Sequence, residues 1–161
     1  MPEKTMEAIL GEMLDERGLT IATAESCTGG LVSHRLTNVP GSSEYYIGSV
    51  IAYAYHAKVR QLNVKWQTLE THGAVSHETV AEMASGVRAA LETDIGIAVS
   101  GIAGPGGGSP GKPVGLVWLG LSTPDGNWTR DHNFEGERIA VKNQAAEAAL
   151  QFVIDYLEGA L

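Results

Sequence analysis

The fold is decided by the stretch from Leu19 to Leu36, which reads LTIATAESCTGGLVSHRL. Leu19 to Ala24 is a short β-forming run that predicts a strand. Apolar residues then recur at helical spacing from Leu31 to Leu36 and predict a helix. The polar cluster Glu25 to Gly30 therefore lies on a strand-to-helix turn. In open α/β sheets, turns that follow the carboxyl ends of strands are where ligands bind.

Similar patterns on both sides of this stretch predict further helices and strands. Helices are predicted at Met6 to Leu14, at His56 to Leu62, after Ser76 as N-cap, and at Ala146 to Leu157; strands are predicted at Ile47 to Tyr53, Ile95 to Val99, Val114 to Ser122 and Trp128 to Phe134. The last two strands are joined by the turn Pro124 to Asn127, which is a hairpin signal. This alternation predicts a three-layer α/β/α fold with a mixed, mainly parallel sheet and an added antiparallel hairpin. A chain of 161 residues fits one domain, residues 1–161.

The composition argues against several classes of function. The net charge is −8, and the 11 lysines and arginines are scattered, so nucleic-acid binding is disfavoured. The single cysteine, Cys27, allows no intrachain disulfide, and no group of His, Cys, Asp and Glu has metal-ligand spacing. The acidic N-terminus and the lack of a long apolar run predict a soluble, cytoplasmic protein with no membrane span or signal peptide.

Ser26 is the candidate nucleophile, because it follows a strand and precedes two glycines and a helix. Backbone N–H groups at such a turn can surround an oxyanion. From spacing alone, helix capping by Ser26 or Thr28 is the more common role. A nucleophilic serine also needs a base, and none of the five histidines has a triad context. Lys58 is the other candidate base, since burial can lower the pKa of a lysine towards neutrality.

A second glycine-rich turn, from Ser100 to Gly108, follows the buried strand Ile95 to Val99. It has neither the GxxxxGK[ST] pattern of phosphate loops nor the GxGxxG pattern of dinucleotide folds. Its backbone N–H groups could still approach a phosphate, with Lys112 as a counter-charge. On composition alone, a flexible connection ending at Pro113 is an equal alternative.

Seven motifs, taken in order, resemble the CinA C-terminal domain family. They are Ala24 to Gly30, Pro40 to Ser43, Tyr53 with Lys58, His72 to Ser76, Ser100 to Pro105, Lys112 to Gly115, and Gly136 to Arg138. Their order and spacing match over almost the whole chain. Stand-alone members of this family are nicotinamide-nucleotide amidohydrolases, which convert nicotinamide mononucleotide to nicotinate mononucleotide and ammonia. The resemblance implies a hydrolase of pyridine-nucleotide recycling that needs no cofactor and takes a small nucleotide substrate. We also expect a homo-oligomer.

The resemblance also implies roles for individual residues. Ser26 would be the nucleophile, Lys58 its general base, and Tyr53 a residue that holds the hydroxyl network or the substrate. The oxyanion would be met by N–H groups near Thr28, Gly29 and Gly30. The remaining expected substrate contacts, mainly with the ribose phosphate, are Ser42, Ser43, Ser100, Gly101, Gly104, Gly106, Gly107 and Lys112.

Two positions depart from the family pattern. Tyr55 stands in a segment where an asparagine is usual before the lysine, and Lys142-Asn143 stands where an arginine-rich run is usual. These departures leave two alternatives open: a catalytically silent nucleotide-binding module and a serine amidase for another carboxamide. A regulatory role linked to competence or DNA damage is weakened by the acidic charge.

Overall fold

The computed structural model describes residues 2–161 and shows a five-stranded sheet between two layers of helices. The helices are α1 (Met6–Arg17), α2 (Leu31–Thr37), α3 (Tyr55–Leu62), α4 (Trp66–His72), α5 (His77–Leu91) and α6 (Arg138–Leu157). The strands are β1 (Ile21–Glu25), β2 (Tyr46–Ile51), β3 (Ile95–Gly101), β4 (Leu116–Thr123) and β5 (Gly126–Asn133). The predicted three-layer α/β/α fold is confirmed.

The strand order is β2-β1-β3-β4-β5, with β1 parallel to both β2 and β3. The register runs from Ile21 opposite Ile95 to Glu25 opposite Val99. β3, β4 and β5 pair antiparallel, so the predicted mixed sheet and hairpin are confirmed. Parallel pairing ends at β3 because no helix separates β3 from β4, and a parallel pair needs a long crossover.

The strands alternate their side chains between two cores. Ile95, Ile97 and Val99 face the core with α1, α2 and α6, whereas Ala98 faces the core with α3, α4 and α5. The second face carries small residues, so α5 approaches the sheet closely. A Cβ on Gly96 would lie 2.3 Å from the carbonyl oxygen of Ala84 in α5. This contact fixes the position of α5 and of the loop before it, which reaches the site described below.

Most predicted elements are confirmed, with shifted ends. Ser76 is the N-cap of α5 and its side chain accepts a hydrogen bond from the Thr79 N–H, as predicted. The short α4 was not predicted, because Leu69 is its only buried residue and leaves no apolar repeat. α6 begins at Arg138, eight residues before the predicted start. No helix within residues 2–161 is both long and apolar enough to cross a bilayer.

Candidate active site

Ser26 and Lys58 meet although they lie 32 residues apart. Ser26 directly follows β1, and Lys58 projects from the second turn of α3, which the chain reaches after β2. The Lys58 Nζ lies 2.9 Å from the Ser26 Oγ, within hydrogen-bond distance. Ser26 is 7% exposed and Lys58 is fully buried. The structure therefore brings together the two groups predicted to react, and their chemical roles stay a prediction.

The Lys58 amine has two further partners, both neutral. It donates to the carbonyl oxygen of Ala52 at 2.7 Å and to that of Tyr53 at 2.9 Å. No salt bridge involves Lys58 in the described part of the chain. Burial without a paired carboxylate disfavours the charged form and lowers the pKa of Lys58 to about 8. A substantial fraction of this amine is therefore neutral near physiological pH.

Glu25, the residue before the nucleophile, is a fully buried carboxylate that caps α2. Its Oε1 accepts from the Thr28 hydroxyl at 2.7 Å and from the Val32 N–H at 2.9 Å. Its Oε2 accepts from the Ser33 N–H at 2.9 Å. Sequence reasoning missed this role, since a glutamate is rarely buried unless it is paired. The carboxylate therefore fixes the turn that carries Ser26.

The same cap changes the expected oxyanion site. The Gly30 N–H donates to the Glu25 carboxylate, and the Gly29 N–H donates to the Ser26 carbonyl. Both N–H groups thus already have acceptors within the chain, and their expected contact with an oxyanion stays a prediction. The N–H groups of Cys27 and Thr28 donate to no oxygen of residues 2–161. They are the backbone donors available beside the Ser26 hydroxyl.

The Ser26 hydroxyl opens into a cavity of about 200 Å³. Its lining consists of Ser26, Cys27, Tyr53, Lys58, Ala74, Val75, Ser100, Gly101, Ala103 and Arg138. Both predicted glycine-containing turns therefore contribute to one cavity, as their places after β1 and β3 suggested. Tyr53 is 63% exposed and stands at the rim. Ala74 and Val75 come from the loop before α5.

Arg138 joins three parts of the cavity entrance. From the start of α6 it donates to the Gly104 carbonyl at 2.7 Å and to the Tyr53 hydroxyl at 3.1 Å. Sequence reasoning included Arg138 in a family motif but assigned it no role, because it precedes the apolar repeat that marked the last helix. Its two partners are uncharged, so its positive charge remains available to a substrate.

Several predicted substrate residues lie elsewhere. Ser42 and Ser43 come before β2, whereas Ser26 comes after β1; since the two strands are parallel, these serines lie at the opposite edge of the sheet. Gly106 and Gly107 are exposed and do not line the Ser26 cavity. In this structure, these four residues therefore do not line the cavity at Ser26, and their contacts with a substrate stay a prediction.

Lys112 is also absent from the lining of the Ser26 cavity. Its Nζ donates to the carbonyl of His72, and Lys112 lines another cavity of about 380 Å³ with Glu78 and Asp131. Val75 lines both this cavity and the one at Ser26. The expected counter-charge at the glycine-rich turn is thus not at the Ser26 cavity. Gly104 does not line this cavity, but its carbonyl oxygen accepts a hydrogen bond from Arg138, which does.

Cys27 is the other nucleophilic atom at this turn. Burial raises the pKa of its thiol to about 11. Since only the thiolate is strongly nucleophilic, Ser26 is the better candidate near neutral pH. In the stretch from residue 2 to 161, no three His, Cys, Asp or Glu side chains are grouped so as to hold a metal ion.

Comparisons with known proteins agree with this geometry. Residues 3–157 match the family described as CinA C-terminal domain. The chain is 51% identical over 147 residues to a CinA-like protein from Salinibacter ruber, covering 91% of this chain and 36% of that protein. It is 49% identical over 151 residues to a CinA-like protein from Kosmotoga olearia, covering 94% and 37%. The chain therefore spans little more than a third of these curated relatives.

A solved structure of nearly equal length is also similar. The crystal structure of competence damage-inducible protein A from Klebsiella pneumoniae superposes with a TM-score of 0.92 at 37% identity. The match covers 95% of each chain. The similarity thus extends over the sheet, both helical layers and the turns that form the cavity.

Proposed function

The chain belongs to the CinA C-terminal domain family, and from this premise we propose that it hydrolyses the carboxamide of nicotinamide mononucleotide to nicotinate mononucleotide and ammonia. The observation that carries the proposal is the contact of 2.9 Å between the Ser26 hydroxyl and the buried Lys58 amine. The reaction class rests on this pair. The choice of substrate rests on the family resemblance.

The three hydrogen bonds of Lys58 suit it to act as a base. An ammonium group has three N–H donors, and here the acceptors are Ser26 and the carbonyls of Ala52 and Tyr53. When the amine is neutral, its two N–H groups can remain on the two carbonyls. Its lone pair then points at the Ser26 hydroxyl and can accept that proton.

Acylation begins when the Ser26 Oγ attacks the carboxamide carbon and its proton moves to the Lys58 Nζ. The carbonyl oxygen becomes an oxyanion, which the N–H groups of Cys27 and Thr28 would stabilise. The tetrahedral intermediate collapses when the C–N bond breaks and the Lys58 ammonium returns its proton to the leaving nitrogen. Ammonia departs and the acyl group remains bound to Ser26.

Deacylation repeats these steps with water. Lys58, neutral again, removes a proton from a water molecule that attacks the acyl carbon. The bond to the Ser26 Oγ breaks, and the ammonium returns a proton to the serine. The released carboxylic acid ionises, and the site is restored without a cofactor.

Ammonia release from nicotinamide mononucleotide tests the proposal directly. Ser26→Ala should abolish release, and Lys58→Met should lower kcat by about 10²- to 10⁴-fold, the usual range for loss of a general base. Lys65→Met, which removes an exposed cation at the start of α4, serves as the matched control. Release by the native chain that survives Ser26→Ala would exclude Ser26 as nucleophile.

Two other results would replace the proposal with one of its alternatives. Binding of the mononucleotide without any turnover would indicate a catalytically silent module. Turnover of a different carboxamide, with the mononucleotide left intact, would indicate a serine amidase of another specificity.

A further inference from the structure

A second cavity of about 390 Å³ adjoins the one at Ser26. Its lining consists of Thr28, Gly29, Gly30, Leu31, His34, Ile139, Lys142 and Asn143. Cys27 and Arg138 line the first cavity, and the next residues along the chain, Thr28 and Ile139, line the second. The two spaces are therefore neighbours between the Ser26 turn and the first turns of α6.

The size of the first cavity requires a ligand of nucleotide size to extend beyond it. Its volume is about 200 Å³, below the ~300 Å³ at the lower end for pockets that enclose a small ligand. It can hold the reacting amide and its ring, with the remainder of the molecule outside. The adjoining space next to Thr28 is available to receive that remainder.

The charge of the second cavity suits an anion. None of its lining residues is acidic, although the chain as a whole carries a charge of −8. The Lys142 Nζ lies above Gly29, 3.9 Å from where a Cβ on that glycine would stand. Lys142 forms no salt bridge with any residue from 2 to 161. His34, which also lines this cavity, adds a ring N–H donor.

The Lys112 cavity also borders the one at Ser26, since Val75 lines both, but its charge is less suited to an anion. Two carboxylates, those of Glu78 and Asp131, line it together with Lys112. The Lys112 amine is already bonded to the His72 carbonyl. A phosphate there would meet like charges, which cost free energy, and would compete for an occupied donor.

We propose that the cavity between the Ser26 turn and α6 is the phosphate subsite, and that Lys142 is the cation that binds the phosphate. This inference rests on the proposed function and adds to it the location of the nucleotide's anionic end. The phosphate contact is a charge-assisted hydrogen bond, so it acts on substrates that carry the phosphate and not on those that lack it.

The test compares a substrate with its phosphate-free counterpart. Lys142→Met should lower kcat/KM for nicotinamide mononucleotide by about 10- to 100-fold, the usual effect of losing a hydrogen bond to a charged group. For nicotinamide riboside the change should stay below about twofold, since that substrate makes no such bond. Lys142→Arg should restore most of the loss, and Lys65→Met should affect neither substrate.

Two results would overturn the inference. An equal loss on both substrates would mean that Lys142 acts on the ring or on the fold. A phosphate-specific loss in Lys112→Met, with none in Lys142→Met, would place the phosphate in the other cavity.

A binding measurement separates failure of the subsite from failure of the proposed function. Calorimetric binding of nicotinamide mononucleotide to Ser26→Ala, with and without Lys142→Met, needs no turnover. Lys142-dependent binding by a chain that never releases ammonia would support the subsite and refute the hydrolase. Turnover with Lys142-independent binding would refute the subsite alone, and no binding at all would refute both.

Discussion

Hydrolysis at this site should depend on pH through Lys58, because only its neutral amine can take the Ser26 proton. Burial lowers the pKa of Lys58 from 10.5 to about 8. At pH 7 about a tenth of such amines are neutral, against ~0.03% of ordinary lysines. The structure thus predicts a roughly 300-fold larger population of the reactive form than an exposed lysine would provide.

Initial rates of ammonia release between pH 6 and 10 measure this dependence. The kcat/KM should rise about tenfold for each pH unit below 8 and level off above it, because this parameter reports the groups of the free enzyme. Lys58→Arg should remove the rising limb together with most of the activity, since a guanidinium stays protonated throughout this range. Buffers of constant ionic strength keep surface electrostatics unchanged.

Unfolding gives an independent measurement of the same pKa. Between pH 8 and 10.5 the unfolded chain holds the Lys58 proton and the folded chain has lost it, so the free energy of unfolding should rise with pH across this window. Lys58→Met should lack that contribution. A rate profile that is flat from pH 6 to 10, or a rising limb that persists in Lys58→Met, would refute the role of Lys58 as the base.

Three further predictions concern the scaffold. Glu25→Gln should destabilise the protein by about 2 kcal/mol and lower Tm by roughly 4–8 °C. Both carboxylate oxygens of Glu25 accept from backbone N–H groups, and in the glutamine the amide NH2 must face one of those donors. Glu135→Gln is the exposed control, and equal Tm values for the two variants would contradict the capping role of Glu25. Burial and the charge of Arg130 lower the pKa of His132 below 6.5. The free energy of unfolding, measured by urea titration, should therefore fall as pH drops below about 6.5. His132→Phe should remove that fall. Gly96→Ala should cost about 2 kcal/mol or more in the same titrations, since its Cβ would lie 2.3 Å from the Ala84 carbonyl; a neutral effect would mean that α5 is free to shift.

Local sequence patterns were sufficient to predict β1, the Ser26 turn and β3, because short apolar runs that end in glycine and polar residues have few alternative structures. They were not sufficient for the contact between Ser26 and Lys58, which spans 32 residues. The residues alone gave Lys58 as one candidate base, and the family resemblance implied the pairing. Ser42 and Ser43 lie away from Ser26 for a topological reason. A loop before a strand and a turn after its parallel neighbour lie at opposite edges of the sheet, and the sequence does not state which strands will be neighbours.

Charged side chains were the least predictable part of the site. Lys112 was expected at the glycine-rich turn from its position in the chain, but its amine reaches the end of α4 instead. The family pattern named Arg138 and Lys142, but neither was assigned a contact, because the last helix was predicted to begin only at Ala146. A long side chain can reach in several directions, and only the packed neighbours determine which one it takes.

The bonds of Arg138 to Gly104 and to Tyr53 connect segments 34 and 85 residues away along the chain. The entrance to the cavity is thus formed by the side chains of Arg138 and Tyr53 and the backbone of Gly104, none of which is a reacting group. Laboratory evolution could change that entrance so that it accepts bulkier or differently charged amides. Ser26, Lys58 and the carbonyl oxygens bonded to Lys58 would stay unchanged.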